Sequence, residues 1–169
     1  MTISLYATSV PVFKQMLSAL SDVLTKAEAH AAAKSIEPDA LLQARLFPDM
    51  FQLVRQVQIA VDFAKGVSSR LAGVVPPSYD DSEKTFADLQ ALIAKTLAYL
   101  ATLQPEQIDG QEAREIITRP GTPKEKIFNA QTYLLGYGLP QFFFHITTTY
   151  AILRHNGVEV GKRDYMGAY

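Results

Sequence analysis

The stretch Asn129–His155, N-A-Q-T-Y-L-L-G-Y-G-L-P-Q-F-F-F-H-I-T-T-T-Y-A-I-L-R-H, decides the fold. It carries the densest aromatic run in the chain and two of its three histidines. A segment this apolar, read as a helix, needs neighbours on most of its sides. The rest of the chain should therefore supply helical walls. Asn129 is placed to cap the segment, Pro140 to kink it, and Gly157 to end it.

Working backwards, three more helical stripes appear. The first opens at Ser9, read as an N-cap, with Pro11 in the first turn. Phe13, Met16, Leu17, Leu20, Val23, Leu24 and Ala27 then recur at the 3.6-residue period, and the helix runs to about Lys34. Pro38 opens a short helical piece over Asp39–Gln43, packed by Leu41, Leu42 and Leu46. The second long helix is expected from Pro48 to Ala72, with Phe51 in its apolar stripe and Gly73 as its stop. The third, capped by Asp80 or Ser82, carries Phe86, Leu89, Leu92, Ile93, Leu97, Leu100 and Leu103 and ends before Pro105. Arg114–Arg119 and Glu125–Phe128 read as the two arms of a β-hairpin around Pro120-Gly-Thr-Pro123; alone it would be marginal, so it must lean on the bundle. Val158–Tyr169 is a short tail, basic at Lys162 and Arg163. The expectation is one domain, residues 1–169: an all-α four-helix bundle with a small β-hairpin insert before the last helix.

The 169-residue length suits a single core, and the net charge of −1 gives no overall field for nucleic acid or an anionic membrane. Without cysteine, thiol chemistry, disulfides and Cys-based zinc sites are excluded. No apolar run reaches the ~20 residues of a bilayer span. The opening M-T-I-S-L-Y-A-T-S-V-P has no basic stretch ahead of an apolar core, so no signal peptide and a cytoplasmic location are expected.

His145 is the leading candidate for chemistry. At helical spacing Gln141, Thr148 and Thr149 share its face. Such a histidine is a proton shuttle, a metal ligand, or a core residue hydrogen-bonded to the second long helix; the last is the commonest case. His30 and His155 are explained by positions near helix C-termini. On the second long helix Gln56, Gln58 and Asp62 are unusual on so apolar a face. They line either a pocket opposite His145 or an ordinary solvated side. Asp49 and Gln52 lie near that helix's start. If the protein is an enzyme, His145 acts as acid or base with help from Gln56, Asp62 and Tyr150. Asp49, Gln52, Gln56, Asp62 and Thr149 are the expected ligand-binding set. Gly157-Val-Glu-Val-Gly-Lys162 is not a phosphate loop, because Arg163 replaces the required Ser or Thr and the loop follows a helix.

The runs P-D-M-F-Q-L-V-R-Q-V-Q-I-A-V-D-F-A-K-G with R-L-A-G (Pro48 to Gly73), F-F-F-H-I-T-T-T-Y-A-I-L-R-H-N-G-V-E-V-G-K-R-D-Y-M-G (Phe142 to Gly167) and the opening L-Y-A-T-S-V-P-V-F resemble the bacterial DUF1993 family of uncharacterised proteins. That family looks related in fold to the DinB/YfiT-like four-helix bundles, many of them metal-dependent enzymes. The resemblance implies an up-down-down-up bundle and often a homodimer. Long apolar helices point the same way, since bundles commonly bury a further stripe between subunits. The relatives' metal triad has one histidine on the second helix and an H-x-x-x-H pair on the fourth. Here His145 stands at the first position of the pair and Thr149 at the second, while Gln56 or Gln58 occupies the region of the missing histidine. No metal or cofactor is therefore expected. The expected function is a small-ligand-binding or interaction bundle. The alternatives are an enzyme using His145, or a divalent site built from His145 with Asp49 or Asp62.

Overall fold

A computed structural model of the chain describes residues 4–169. Helix α1 spans Val10–Lys34, α3 Leu53–Ala72 and α4 Phe86–Leu100. The fourth long rod begins as α6 (Ala130–Thr132), passes through a π-helical segment (Tyr133–Gly138) and continues as α7 (Leu139–His155). Short helices α2 (Pro38–Leu42), α5 (Pro105–Ile108) and α8 (Lys162–Met166) and strands β1 (Glu115–Thr118) and β2 (Lys126–Asn129) fill the connections. The architecture is the four-helix bundle with a hairpin insert that the periodicity predicts. Helix α3 is its central member, packed most broadly against α7 and α4, while α1 lies against α4 and α8.

The core follows the sequence stripes. Phe13 of α1 and Phe142 of α7 are fully buried and meet edge to face, with ring centroids 4.8 Å apart. Gly138 lets α3 come close: a Cβ there would lie 2.8 Å from Val67 Cγ2.

Several helix starts differ from expectation. The Ser9 hydroxyl donates to the Leu5 carbonyl at 2.6 Å and makes no cap. Helix α3 begins at Leu53, after a loop in which the Met50 amide donates to Phe47 O and the Leu53 amide to Ala44 O. Phe51 falls in that loop, 57% exposed, and Leu46 is exposed as well. Helix α4 starts after Thr85, not after Asp80 or Ser82. The Asp88 amide donates to Thr85 Oγ1 and the Thr85 amide to Asp88 Oδ2, a reciprocal cap that neither earlier candidate forms. Helix α4 closes at Leu100, and Pro105 opens α5 instead of simply ending a helix.

The hairpin pairs Ile116 with Phe128 and buries Ile116. Asn129 caps the fourth rod, its Oδ1 accepting from the Thr132 amide at 2.7 Å. The expected kink at Pro140 takes a particular form. Pro140 has no N–H, and the turn before it widens so that the Leu139 amide reaches back five residues to Leu134 O. At the other end Gly157, with φ +86°, and Val158 donate to Arg154 O and Leu153 O, the paired bonds of a Schellman close. The tail folds back as α8, anchored by Lys26 to Asp164 at 2.6 Å.

Candidate functional site

His145 lies on the face of α7 that packs on α3, only 7% exposed. Its Nδ1 is 2.7 Å from Gln56 Oε1, and Gln56 Nε2 donates to the Phe51 carbonyl at 3.1 Å. That second bond fixes the first. A backbone carbonyl only accepts, so the amide NH2 must face Phe51 and its oxygen must face the imidazole. Nδ1 therefore carries the proton, and Nε2 is left as a bare acceptor. Phe63 stacks on the ring at 6.0 Å and Phe144 meets it edge-on at 5.2 Å. Burial and, secondarily, the Arg55 guanidinium push the pKa of His145 down from 6.5 to about 4. The imidazole is neutral at neutral pH.

The other expected site residues are dispersed. The Thr149 and Thr148 hydroxyls donate back to the carbonyls of His145 and Phe144. Gln58 donates to Glu83 and accepts from Arg55, which is itself paired with Asp81 at 2.6 Å. Asp62 pairs with Lys65 at 2.6 Å. Neither Asp49 nor Asp62 hydrogen-bonds to His145: Asp49 and Gln52 lie on a wide polar cleft of 660 Å³ before α3. Tyr150 packs edge to face on Tyr165 of α8, on the α1 side of the rod.

A second cleft, of 390 Å³, opens where α3, the hairpin and the π-helical segment meet. Arg55, Ile59, Asp62, Phe63 and Arg70 line it from one face of α3, Thr118 and Arg119 from the hairpin, and Tyr133 and Tyr137 from the fourth rod. His145 is in the wall of neither large cleft, but Phe63 separates its ring from this one. The sequence reading missed Arg70, Arg119, Tyr133 and Tyr137. The spacing 55, 59, 62, 63, 70 carried a signal, since it places two arginines and two apolar residues on one helical face.

The residues do not fit a metal triad. Among the described residues no group of three or more His, Asp or Glu side chains converges. At the three positions implied by the resemblance stand an amide already bonded at both ends, one imidazole whose Nδ1–H faces that amide, and a hydroxyl spent on a backbone carbonyl.

The family profile described as "Domain of unknown function (DUF1993)" matches residues 5–166. The chain is also similar to a crystal structure of a DinB family member protein from Shewanella denitrificans, with 42% identity and a TM-score of 0.92 over 98% of this chain and 93% of that one. No curated protein matches the chain. Among the described residues no helix is long and apolar enough to cross a membrane.

Proposed function

The chain belongs to the DUF1993 family, and from that premise we propose that it is a small-ligand-binding helical bundle, with a hydrogen-bonded amide–imidazole pair where DinB-like relatives hold a metal. The observation that carries this reading is the 2.7 Å contact between His145 Nδ1 and Gln56 Oε1. It ties the single imidazole of the three positions to an amide instead of setting it beside a second imidazole. Ligand binding is supported by the 390 Å³ cleft one aromatic ring away, a volume within the usual range of about 300–1,000 Å³ for small-molecule sites. Elemental analysis of untagged protein, run beside a fragment screen by thermal shift, tests both halves. The expected result is substoichiometric metal together with fragments whose stabilising effect is lost when Phe63 is changed to Ala. Stoichiometric zinc or nickel, or a screen with no hits, sinks the reading.

An enzyme with His145 as acid or base is the second reading, and its pKa counts against it. A group near 4 carries no imidazolium proton to give at neutral pH and is a weak base there. A homodimer is the quaternary state we favour, because the apolar side chains of Leu46, Phe47 and Phe51 are exposed on the loop before α3. Light scattering that finds only monomer at micromolar concentration would remove it.

A further inference from the structure

The cleft between α3, the hairpin and the π-helical segment carries unbalanced charge. Arg55 is matched by Asp81 and Asp62 by Lys65. Arg70 and Arg119 have no carboxylate within ion-pair distance among the described residues. Arg70 is half-buried, and its one side-chain hydrogen bond among the described residues is a donation from Nη1 to Tyr133 Oη at 3.3 Å. Its guanidinium folds back over Gly66, into space that a Cβ would contest at 2.8 Å. A glycine, a tyrosine hydroxyl and a helix face thus hold one cationic fork at the cleft wall, with most of its donors unspent. Arginine suits this task, because its planar fork matches carboxylate and phosphate oxygens two at a time.

Much of the rest of the wall is aromatic. Tyr133 and Tyr137 stack at 5.7 Å, and Phe63 meets Tyr137 edge to face at 5.9 Å. Burial pushes the Tyr133 phenol above its ordinary pKa, with Arg70 pulling partly the other way, so the hydroxyl stays protonated and can itself donate. Such rings accept a flat apolar body by stacking or edge contact.

We propose that this cleft binds a small organic anion with a flat apolar body, its carboxylate or phosphate held by Arg70 and Arg119 and its ring laid against Tyr137 and Phe63. The proposal rests on the ligand-binding reading above and names the ligand class for that same bundle.

The test is calorimetric titration of the full chain with three probes: 1-naphthoate, 1-naphthyl phosphate and the uncharged 1-naphthamide. At least one anion should bind about ten-fold or more tightly than the amide, and Arg70→Met should remove that advantage. Whichever anion binds more tightly identifies the head group. Arg119→Ser changes an exposed hairpin residue and carries the test should Arg70→Met fail to fold by circular dichroism. Equal binding of amide and anions overturns the inference and leaves the ligand-binding reading standing. Anion binding unchanged in the folded arginine variants also overturns it. If no probe binds, the inference fails, and the wider reading is then judged by its own metal analysis and fragment screen.

Discussion

Helix α3 buries polar groups at both ends and treats them in opposite ways. Near its start, Gln56 is bonded to His145 on one side and to the Phe51 carbonyl on the other. Near its finish, Arg70 is held over Gly66 and by a 3.3 Å contact to Tyr133, and it lines an open cleft. A closed pair spends its hydrogen bonds on the fold. An open one leaves them unspent. The histidine that a reader of sequence notices first is thus closed by its own chain, and the overlooked arginine keeps donors without a partner among the described residues.

The largest expected effect tests how closed the first pair is. The unfolded chain protonates its histidine below about 6.5, whereas folded His145 does so only near 4. Between those values the unfolded state binds the extra proton. The stability His145 contributes is therefore fully present above pH 6.5 and is lost as pH falls towards 4. The ceiling on that loss is roughly 3 kcal/mol, since each tenfold change in proton affinity is worth about 1.36 kcal/mol. Guanidinium unfolding at pH 7 and pH 4.5 should show most of it, and His145→Gln should abolish it. The carboxylates of Asp164 and Asp88 do not confound this window. Hydrogen bonds from Lys26 and the Gly161 amide to Asp164, and from the Lys84 and Thr85 amides to Asp88, hold both below the ordinary 3.8, so their stabilisation is lost at lower pH. A slope that survives in the variant would mean that the imidazole is solvated in the native state.

Next in size is the pair itself. Gln56→Leu leaves a buried Nδ1–H without an acceptor and should destabilise by about 1–3 kcal/mol. The double variant Gln56→Leu/His145→Leu removes both polar partners and should recover much of that loss, measured as a coupling energy in denaturant unfolding. Additive losses would mean that the two side chains do not meet.

Much of the frame was legible in the residues alone. The stripes of α1, α3 and α4, the hairpin arms, the Asn129 cap and the Gly157 stop all rest on local chemistry, and local chemistry is written in adjacent residues. Two of the errors trace to partners elsewhere in the chain. Pro48 looks like a helix opener until the Leu53 amide is seen to bond Ala44 O, which makes Phe51 a loop residue. Asp80 and Ser82 look like caps until Asp81 and Glu83 are claimed by Arg55 and Gln58 from α3. The expectation that His145 is hydrogen-bonded to the second long helix matches the structure, because a mid-helix imidazole on an apolar face has few other options. The cleft was not legible. It joins α3 to a hairpin and a π-helical turn far along the chain, and no periodicity within one element announces such a meeting.

The smallest expected effect on stability is also the sharpest probe of the open end. Gly66 sits mid-helix, and a Cβ there would meet only the tip of the Arg70 side chain, which can swing away. Gly66→Ala should therefore stabilise the bundle by about 0.5–1 kcal/mol through helix propensity, read as a small rise in Tm. The same methyl displaces the guanidinium from the cleft wall, so naphthoate or naphthyl phosphate affinity should fall while that of the uncharged amide stays put. Gain of stability with loss of anion binding is the pattern expected of a glycine kept for the sake of a ligand. If stability rises and anion binding is unchanged, Arg70 does not depend on that space, and the contrast between the two ends of α3 loses its open half.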